Sequence, residues 1–265
     1  MKNRSYNSLK KSARNIRLNI LKSIFIANSG HIGGSFSCVE IIAYLYLYKY
    51  RKYEDFIFIL SKGHAAPALY SVLYQKGILS KKSLLDLRKI GSRTQGHPDK
   101  RYFNKLYSST GSLGQGLSIG IGYAISNKLK KNKKQTYVLI GDGEIQEGQI
   151  WEALLYISAN KINNLVLLID SNRFQNELSV EETLNLSPLS KKLKNFGFEV
   201  MEVNGHNFKE IDGAISKIKR NTLPKIIILN TIKGKGVSFM ENNNLWHANK
   251  LTKNDYESAI NEISK

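Results

Sequence analysis

An acidic residue and an amide residue follow two apolar segments of the chain. Asp142 lies between two glycines directly after the apolar run Tyr137–Ile140, and Asn172 lies shortly after the next apolar run, Leu165–Ile169. Carboxylate and amide oxygens are ligands that Mg²⁺ prefers, and the bound metal keeps open positions for phosphate oxygens. The spacing therefore indicates a metal-bridged diphosphate. A turn aspartate and a helix-capping asparagine give the same local pattern, so this motif alone leaves both interpretations open.

Other phosphate-binding motifs fit the sequence poorly. The glycine-rich segment 111–120 reads GSLGQGLSIG, which does not match G-x-G-x-x-G, and the preceding letters KLYSST are not an apolar strand. The chain also lacks the Gly-Lys-Ser/Thr sequence of a kinase-type phosphate loop. Both features disfavour hydride chemistry on a nicotinamide dinucleotide.

Four of the five histidines lie in glycine-rich or turn contexts, namely His31, His64, His97 and His247. A single histidine is more often structural than functional, but four at predicted strand-end loops are an unusual distribution. Imidazoles there can bind a diphosphate, polarise a carbonyl or transfer protons near neutral pH. The fifth, His206, has the context of a helix start, NGHNFKEI, and a structural role is favoured for it.

Alternating apolar and helical segments predict the elements that position these residues. Four runs have the length and composition of buried strands: Phe56–Leu60, Tyr137–Ile140, Leu165–Ile169 and Lys225–Leu229. Helices are predicted over residues 8–28, 113–130, 149–159 and 208–219. The alternation indicates an α/β fold with a mainly parallel sheet and helices on both faces, where ligands bind beyond the carboxyl ends of the strands.

Two further segments are distinctive. Residues 29–34 read SGHIGG and predict a glycine-rich turn. Val39–Tyr50 is apolar and aromatic around most of its helical circumference, which predicts a buried helix, and a contact between subunits is one surface that would cover it.

Length and composition predict one soluble globular domain over residues 1–265, with 42% hydrophobic and 23% charged residues and no repeat or linker. No apolar stretch is long enough to span a bilayer. The lone cysteine, Cys38, excludes an internal disulfide and is predicted to be a small buried residue. The polar and basic first dozen residues lack a signal-peptide core, so a cytoplasmic location is expected.

The formal net charge of +19 makes a polyanion-binding protein one interpretation. Two basic runs, Lys128–Lys134 and Ser190–Asn195, stand out. Neither contains the interleaved aromatic residues that stack on bases. Solvated basic surface is therefore favoured, and nucleic acid is not the expected partner.

Seven motifs in order give the chain a specific resemblance from about Leu18 to Ala248. They read ANSGHIGGSFS, LSKGHAAPALY, GHPD, TGSLGQGLS, GDGEIQEGQIWEA, LIDSNRFQ and TIKGKGVSF followed by WHA. The sequence resembles the N-terminal subunits of split, two-chain transketolases, which depend on thiamine diphosphate. The resemblance implies the diphosphate-binding domain of that fold, a three-layer α/β/α arrangement.

The resemblance also implies a ligand set. Mg²⁺ or Ca²⁺ would be bound by Asp142, Asn172 and the backbone carbonyl of Phe174. His64 and His247 would contact the diphosphate or the reacting centre.

Further contacts are implied by the same motifs. The backbone of Gly111 and Leu113 would touch the aminopyrimidine, and the N–H of Gly143 would donate to phosphate. His31 and His97 would line the substrate channel. Glu147 matches a glutamate that links the two active sites of a dimer in the family, although a first-turn helix acid has the same sequence context.

The implied function is transfer of a two-carbon ketol unit from a ketose to an aldose, by chemistry that the cofactor carries. The activating glutamate of the family lies in a pyrimidine-binding domain. A C-terminal partner subunit is therefore expected to supply it in an α2β2 assembly, with sugars or sugar phosphates as substrates. A 1-deoxyxylulose-phosphate synthase-like chain, the α subunit of a 2-oxo acid dehydrogenase and a non-catalytic relic of the fold are alternatives.

Two departures from the family pattern bear on the site. The segment 175–178 reads QNEL where split subunits have a glycine in the last position, and Ala248 replaces the glycine after the last histidine. The first departure predicts an altered loop, and the second weakens the assignment of His247.

Overall fold

A computed structural model of the chain describes residues 5–218 and 223–265. Its sheet has five strands: β1 (Phe56–Leu60), β2 (Gln135–Gly141), β3 (Leu165–Ser171), β4 (Glu199–Asn204) and β5 (Lys225–Asn230). The order across the sheet is β1-β2-β3-β5-β4, and every neighbouring pair is parallel. The predicted α/β class with a parallel sheet is confirmed.

Eleven α-helices are present in the described residues. They are α1 (Tyr6–Ala27), α2 (Ile32–Ser37), α3 (Val39–Ala43), α4 (Ala66–Gln75), α5 (Lys81–Leu85), α6 (Gln115–Leu129), α7 (Gly148–Ala159), α8 (Val180–Thr183), α9 (Leu189–Asn195), α10 (Phe208–Ser216) and α11 (Lys253–Ser264). Short 3-10 turns at Gly63–Ala65, Gly143–Gln146 and Asn244–Trp246 lie close to the strand ends. No described helix combines the length and apolar character that crossing a membrane requires.

Alternate residues of each central strand pack into two separate cores, which makes the three layers. In β1, Phe56, Phe58 and Leu60 belong to the core under α1, α3, α4 and α10. Ile57 and Ile59 belong to the opposite core, under α6, α7 and α9. Because both faces of these strands are covered, their sequences are continuous apolar runs rather than alternating patterns.

Strand β4 is not among the strands that the sequence predicts. It lies at the edge of the sheet, and its residues are only partly buried or exposed. Its sequence, EVMEVN, interrupts apolar residues with charged ones. The strand therefore lacks the continuous apolar run by which the other four strands are recognised.

The predicted helix over Val39–Tyr50 is buried by the chain itself. It starts as α3 and continues as a π-helical segment, Tyr44–Lys49. Tyr44 and Leu45 are 0% exposed within the core of this chain. The interpretation of this run as a contact between subunits is therefore wrong for its buried part, because the chain's own helices cover it.

Other boundaries differ modestly from the predictions. The predicted turn over 29–34 ends earlier than expected, because α2 begins at Ile32. The predicted helix 208–219 ends at Ser216 as an α-helix, and Lys219 lies outside the described residues. Lys128–Lys133 is exposed, as the interpretation of this run as solvated surface requires, and Cys38 is buried as expected.

Candidate active site

The carboxyl ends of β1, β2 and β3 surround a cavity of about 180 Å³. It is lined by Gly34, Lys62, His64, Leu113, Gly141, Asp142, Gly143, Glu144, Asn172, Phe174, Gln175, Asn176, Lys233 and His247. Parallel register brings Gly141 opposite Asp170, so the residues that follow each strand emerge at one edge. Seven of the residues assigned from the sequence therefore meet in one place: His64, Leu113, Asp142, Gly143, Asn172, Phe174 and His247.

Asp142 is a buried carboxylate that contacts backbone N–H groups. It is 6% exposed, and its oxygens accept from the N–H of Gly143 at 2.9 Å and of Arg173 at 2.5 Å. Burial raises the pKa of Asp142 to about 7, against the effect of the Arg173 N–H. A divalent cation beside these oxygens would restore the charged form, so the carboxylate fits a metal ligand.

Asn172 has a fixed amide orientation. Its Nδ2 donates to Ser37 Oγ at 3.3 Å and to Asp170 Oδ2 at 3.5 Å, while its Oδ1 accepts from the N–H of Phe174 at 3.1 Å. Because the nitrogen faces the buried aspartate, the second lone pair of Oδ1 is the group left for a cation. The donor set is oxygen only, as Mg²⁺ or Ca²⁺ requires.

Two buried lysines are missing from the residues that the sequence singles out. Lys62 is 1% exposed and forms an ion pair with Asp170. Lys233 is also 1% exposed, but its Nζ donates to neutral oxygens, Gln175 O at 2.5 Å and Asn244 Oδ1 at 3.4 Å. Burial, helped by the charge of Lys62, lowers the pKa of Lys233 to about 8.

Lys233 has no carboxylate within ion-pair distance in the part of the chain that the structure describes. An unpaired buried ammonium is unfavourable unless an anion approaches it. Since Lys233 lines the cavity together with Lys62, the cavity has the electrostatic character of an anion site.

Four histidines from separate loops form one cluster. The ring centroid of His31 lies 5.5 Å from that of His64, 6.1 Å from that of His97 and 5.2 Å from that of His247. The rings of His64 and His247 are 5.4 Å apart. The structure therefore brings together the four histidines that the sequence singled out.

These imidazoles are held neutral. Burial lowers the pKa of His31 to about 4 and that of His247 to about 3, and it lowers the pKa of His64 well below its usual value. The Nδ1 atoms of His31 and His247 are buried without a hydrogen-bond partner among the described residues. Neutral rings with unused nitrogens can donate to or accept from a ligand.

The loop before α6 forms one wall of the site. Gly111 packs against His97, because a Cβ on this glycine would lie 3.1 Å from His97 Cγ. Glu144, which the sequence interpretation does not single out, fixes this wall to the strand ends. Its carboxylate accepts from Ser61 Oγ at 2.5 Å, from Gly114 N at 2.9 Å and from Gly141 N at 3.1 Å.

Glu147 lies apart from the cavity. It is exposed at the start of α7, and its side chain makes no capping hydrogen bond there. Its position on the outer surface is compatible with a contact to another chain, and the predicted link between two active sites stays a prediction.

The two buried lysines do have a sequence signal. Lys62 and Lys233 occur in ILSKGHAA and NTIKGKG, directly after predicted strands and beside glycines. Lysine is rarely buried, so the sequence alone does not suggest a role for either residue. A lysine at a strand end next to glycines is the pattern that would have identified them.

Neither departure from the family pattern disturbs the cavity. The loop after Phe174 closes through the N–H of Gln175, which donates to Leu178 O at 2.9 Å. Leu178 is not among the described residues with positive φ, so its backbone does not require glycine. His247 lines the cavity although Ala248 follows it.

A larger and more open groove of about 810 Å³ adjoins the cavity and shares Asp142 and Phe174 with it. It is lined largely by residues 171–190 and contains no lysine or histidine among its described residues. The smaller cavity is therefore the better match for a diphosphate.

Fold and site together define the class of protein: an α/β protein that binds a phosphate-bearing ligand at the carboxyl edge of a parallel sheet. The family model described as "Transketolase, thiamine diphosphate binding domain" matches residues 8–263. The chain belongs to this transketolase family.

Curated relatives match nearly the whole chain. It is 37% identical over 257 residues to the first of the two subunits of the apulose-4-phosphate transketolase of Phocaeicola vulgatus, a match that covers 94% of this chain and 91% of that relative. It is 38% identical over 265 residues to 6-deoxy-6-sulfo-D-fructose transketolase subunit SqwG of Clostridium sp. (strain MSTE9), covering 97% and 96%. Human transketolase is 37% identical over 265 residues, covering 97% of this chain and 42% of the human protein.

A solved structure agrees with these matches. Transketolase from Campylobacter jejuni superimposes with a TM-score of 0.90 at 28% identity, over 98% of this chain and 43% of that one. The predicted family, the three-layer fold and the transketolase-type transferase function are confirmed.

Proposed function

We propose that the 180 Å³ cavity holds the diphosphate of thiamine diphosphate together with a divalent metal ion. The metal, Mg²⁺ or Ca²⁺, would be bound by Asp142, Asn172 and the carbonyl of Phe174. The observation that carries this proposal is a buried carboxylate next to a fixed amide oxygen, with an unpaired buried cation, Lys233, on the same cavity.

The residues around the metal would divide the binding work. Lys62 and Lys233 supply positive charge for phosphate oxygens, and the N–H of Gly143 can donate to them. His64 and His247 would contact the diphosphate or the reacting centre, and the loop with Gly111 and Leu113 would receive the aminopyrimidine.

The histidine cluster would handle the sugar. When bound, thiamine diphosphate supplies the carbanion chemistry that moves a two-carbon ketol unit from a ketose to an aldose. His31 and His97 are neutral at physiological pH because burial lowers their pKa, so each can donate to one hydroxyl and accept from another. Deep placement of the rings also keeps bulk water away from protons that move between sugar and protein.

A second polypeptide would complete the enzyme. Two relatives that match the chain end to end are named as subunits, which supports a partner that carries the pyrimidine-binding domain, in an α2β2 assembly. The substrates in their names are a sugar phosphate and a sulfonated sugar, so we propose an anionic ketose as donor. The exposed carboxylate of Glu147 is a candidate contact between chains.

Calorimetric titration tests the site. Thiamine diphosphate is titrated into this chain alone and into its mixture with the candidate partner, with Mg²⁺, with Ca²⁺ and with a chelator. Asp142→Ala removes the central ligand, while Asp86→Ala removes a surface carboxylate paired with Lys89 and serves as the matched control.

We expect heat that requires metal and Asp142 and is unchanged in Asp86→Ala, and ketol transfer only with the partner. Metal-independent binding, or equal binding by the two variants, would contradict the metal site. Ketol transfer by this chain alone would contradict the need for a partner.

A further inference from the structure

A buried hydrogen-bonded chain on the far side of Lys233 is not explained by ligand binding alone. Arg17 donates to both oxygens of Glu40, at 2.7 and 2.9 Å, and His206 Nδ1 lies 3.0 Å from Glu40 Oε2. Arg17 is 7% and Glu40 5% exposed, and the side chain of His206 is 12% exposed. The chain ends on the backbone N–H of Ile232, which donates to His206 Nε2 at 2.9 Å.

The backbone partner fixes the tautomer of His206. A peptide N–H can only donate, so Nε2 must be the acceptor and carries no proton. The proton of the neutral ring is then on Nδ1, which donates to Glu40. A carboxylate that orients an imidazole in this way is the usual device for holding one ring nitrogen in a required role.

The peptide that His206 holds belongs to the segment that carries Lys233. The segment leaves β5 with the N–H of Thr231 donating to Ser171 O at 3.1 Å, and the N–H of Gly234 donates to Gly33 O at 3.1 Å. Between these two anchors, the bond to His206 is the hydrogen bond of the Ile232 N–H. The direction of the next side chain therefore depends on it.

The stem of Lys233 has little room for another direction. A Cβ on Gly33 would lie 3.0 Å from Lys233 Cγ, so the lysine stem packs closely on this glycine. Its ammonium ends on Gln175 O, in the loop that follows the proposed metal ligands. A small rotation at Ile232 would withdraw the charge from the cavity, because close packing leaves no compensating path.

We propose that His206, oriented by Glu40, is a positioning residue for Lys233 and so sets the anion affinity of the cofactor cavity from outside it. This inference rests on the proposed function, in which the cavity takes a diphosphate. It gives His206 a role beyond the structural one that its sequence context suggests, although it touches neither the cavity nor a ligand.

Two substitutions separate the two nitrogens of the ring. In His206→Asn the side-chain amide reaches the Nδ1 position and keeps the donor to Glu40, but it loses the acceptor for Ile232. In His206→Gln the amide oxygen reaches the Nε2 position and keeps the acceptor, but it loses the donor. Both variants remove a ring of the same size from the same half-buried place.

The measurements are the Kd of magnesium thiamine diphosphate by calorimetry, hydrogen exchange at the Ile232 amide, and the melting temperature. We expect a Kd about tenfold weaker and faster exchange in His206→Asn, with both largely restored in His206→Gln. The melting temperatures should fall by similar amounts in the two variants. Equal Kd values at equal stability would overturn the positioning role.

A double-mutant cycle with Lys233→Gln distinguishes this inference from the proposed function. If His206 acts through Lys233, His206→Asn should change the Kd by less than about twofold once the lysine charge is gone. If Lys233→Gln alone leaves the Kd unchanged, the assignment of Lys233 to the diphosphate fails. If Lys233→Gln weakens binding but the two effects are independent, only the positioning role fails.

Discussion

Lys62 and Asp170 form an ion pair beneath the cavity, with side chains that are 2% and 0% exposed. Asp170 also accepts from Ser37 Oγ at 2.5 Å and from Thr231 Oγ1 at 2.5 Å. The same carboxylate thus connects α2, β3 and the segment after β5. It lies two residues before Asn172, so the proposed metal ligand is attached to the most buried charge of the sheet edge.

Lys62→Met should be strongly destabilising, because it leaves Asp170 buried without its cation. Breaking one partner of a buried pair lowers the free energy of unfolding by about 3–5 kcal/mol. Asp170→Asn added to Lys62→Met should recover part of this loss, since the uncompensated charge is removed. Urea unfolding of the single and double variants measures both effects, and a loss below about 1 kcal/mol in Lys62→Met would contradict the pair's importance.

The histidine cluster predicts loss of stability in mild acid for the chain without cofactor. Burial lowers the pKa of His31 to about 4 and of His247 to about 3, from the usual value of 6.5. The unfolded chain therefore binds more protons below pH 6.5, and stability falls as the pH drops from 6.5 towards these folded values. At about pH 5.5 each ring should lower the free energy of unfolding by about 1 kcal/mol relative to about pH 7.5.

His31→Asn tests the sign of this effect, because it removes one titrating ring. Urea unfolding at the two pH values should show a smaller pH difference for the variant than for the unaltered chain. Glu40 affects a separate window: burial opposes it, but Arg17 and His206 hold the pKa of Glu40 at about 2, so its contribution is lost only in stronger acid. An identical pH difference in both proteins would exclude His31 as a contributor.

Gly34→Ala should damage the cavity. A Cβ there would lie 3.2 Å from His64 Nε2 and 3.7 Å from Lys62 Nζ. The added methyl should lower the free energy of unfolding by about 1–3 kcal/mol and weaken thiamine diphosphate binding.

Gly122→Ala is the matched control, because Gly122 also lies in a helix and its added Cβ meets nothing within 4 Å. This variant should be more stable by about 0.5–1 kcal/mol, with unchanged affinity. Thermal melts and calorimetry on both variants decide the matter, and equal affinities would remove Gly34 from the cavity wall.

Leu178→Gly restores the residue that split subunits usually have, and we expect no gain from it. Leu178 is 50% exposed and does not have a positive φ. Glycine would add freedom to the unfolded chain, so the free energy of unfolding should fall by about 0.4–1 kcal/mol. Cofactor affinity should not change, and a tighter Kd would show that the leucine strains the loop.

Much of the fold could be predicted from the sequence. Strands β1, β2, β3 and β5 are covered on both faces, so each is an uninterrupted apolar run. Strand β4 escapes this test because an edge strand needs only partial burial and tolerates Glu199 and Glu202. The burial of Val39–Tyr50 is predictable, but periodicity does not say which surface covers a helix.

The site was predictable where chemistry is written in residue type. Asp142, Asn172 and the four histidines have few other reasons to follow strands beside glycines. Lys62 and Lys233 escape prediction because their burial depends on partners distant in sequence, Asp170 and Gln175. The same reason applies to Glu144, since its three donors come from three different loops.

The histidine cluster draws on both ends of the chain. His31 and His247 have ring centroids 5.2 Å apart, although 216 residues (247 − 31) separate them. During synthesis on a ribosome, this pocket cannot form until residue 247 has left the exit tunnel. Cofactor capture is therefore a report on completed translation, and a truncated product ending before this histidine would compete poorly for the vitamin-derived ligand.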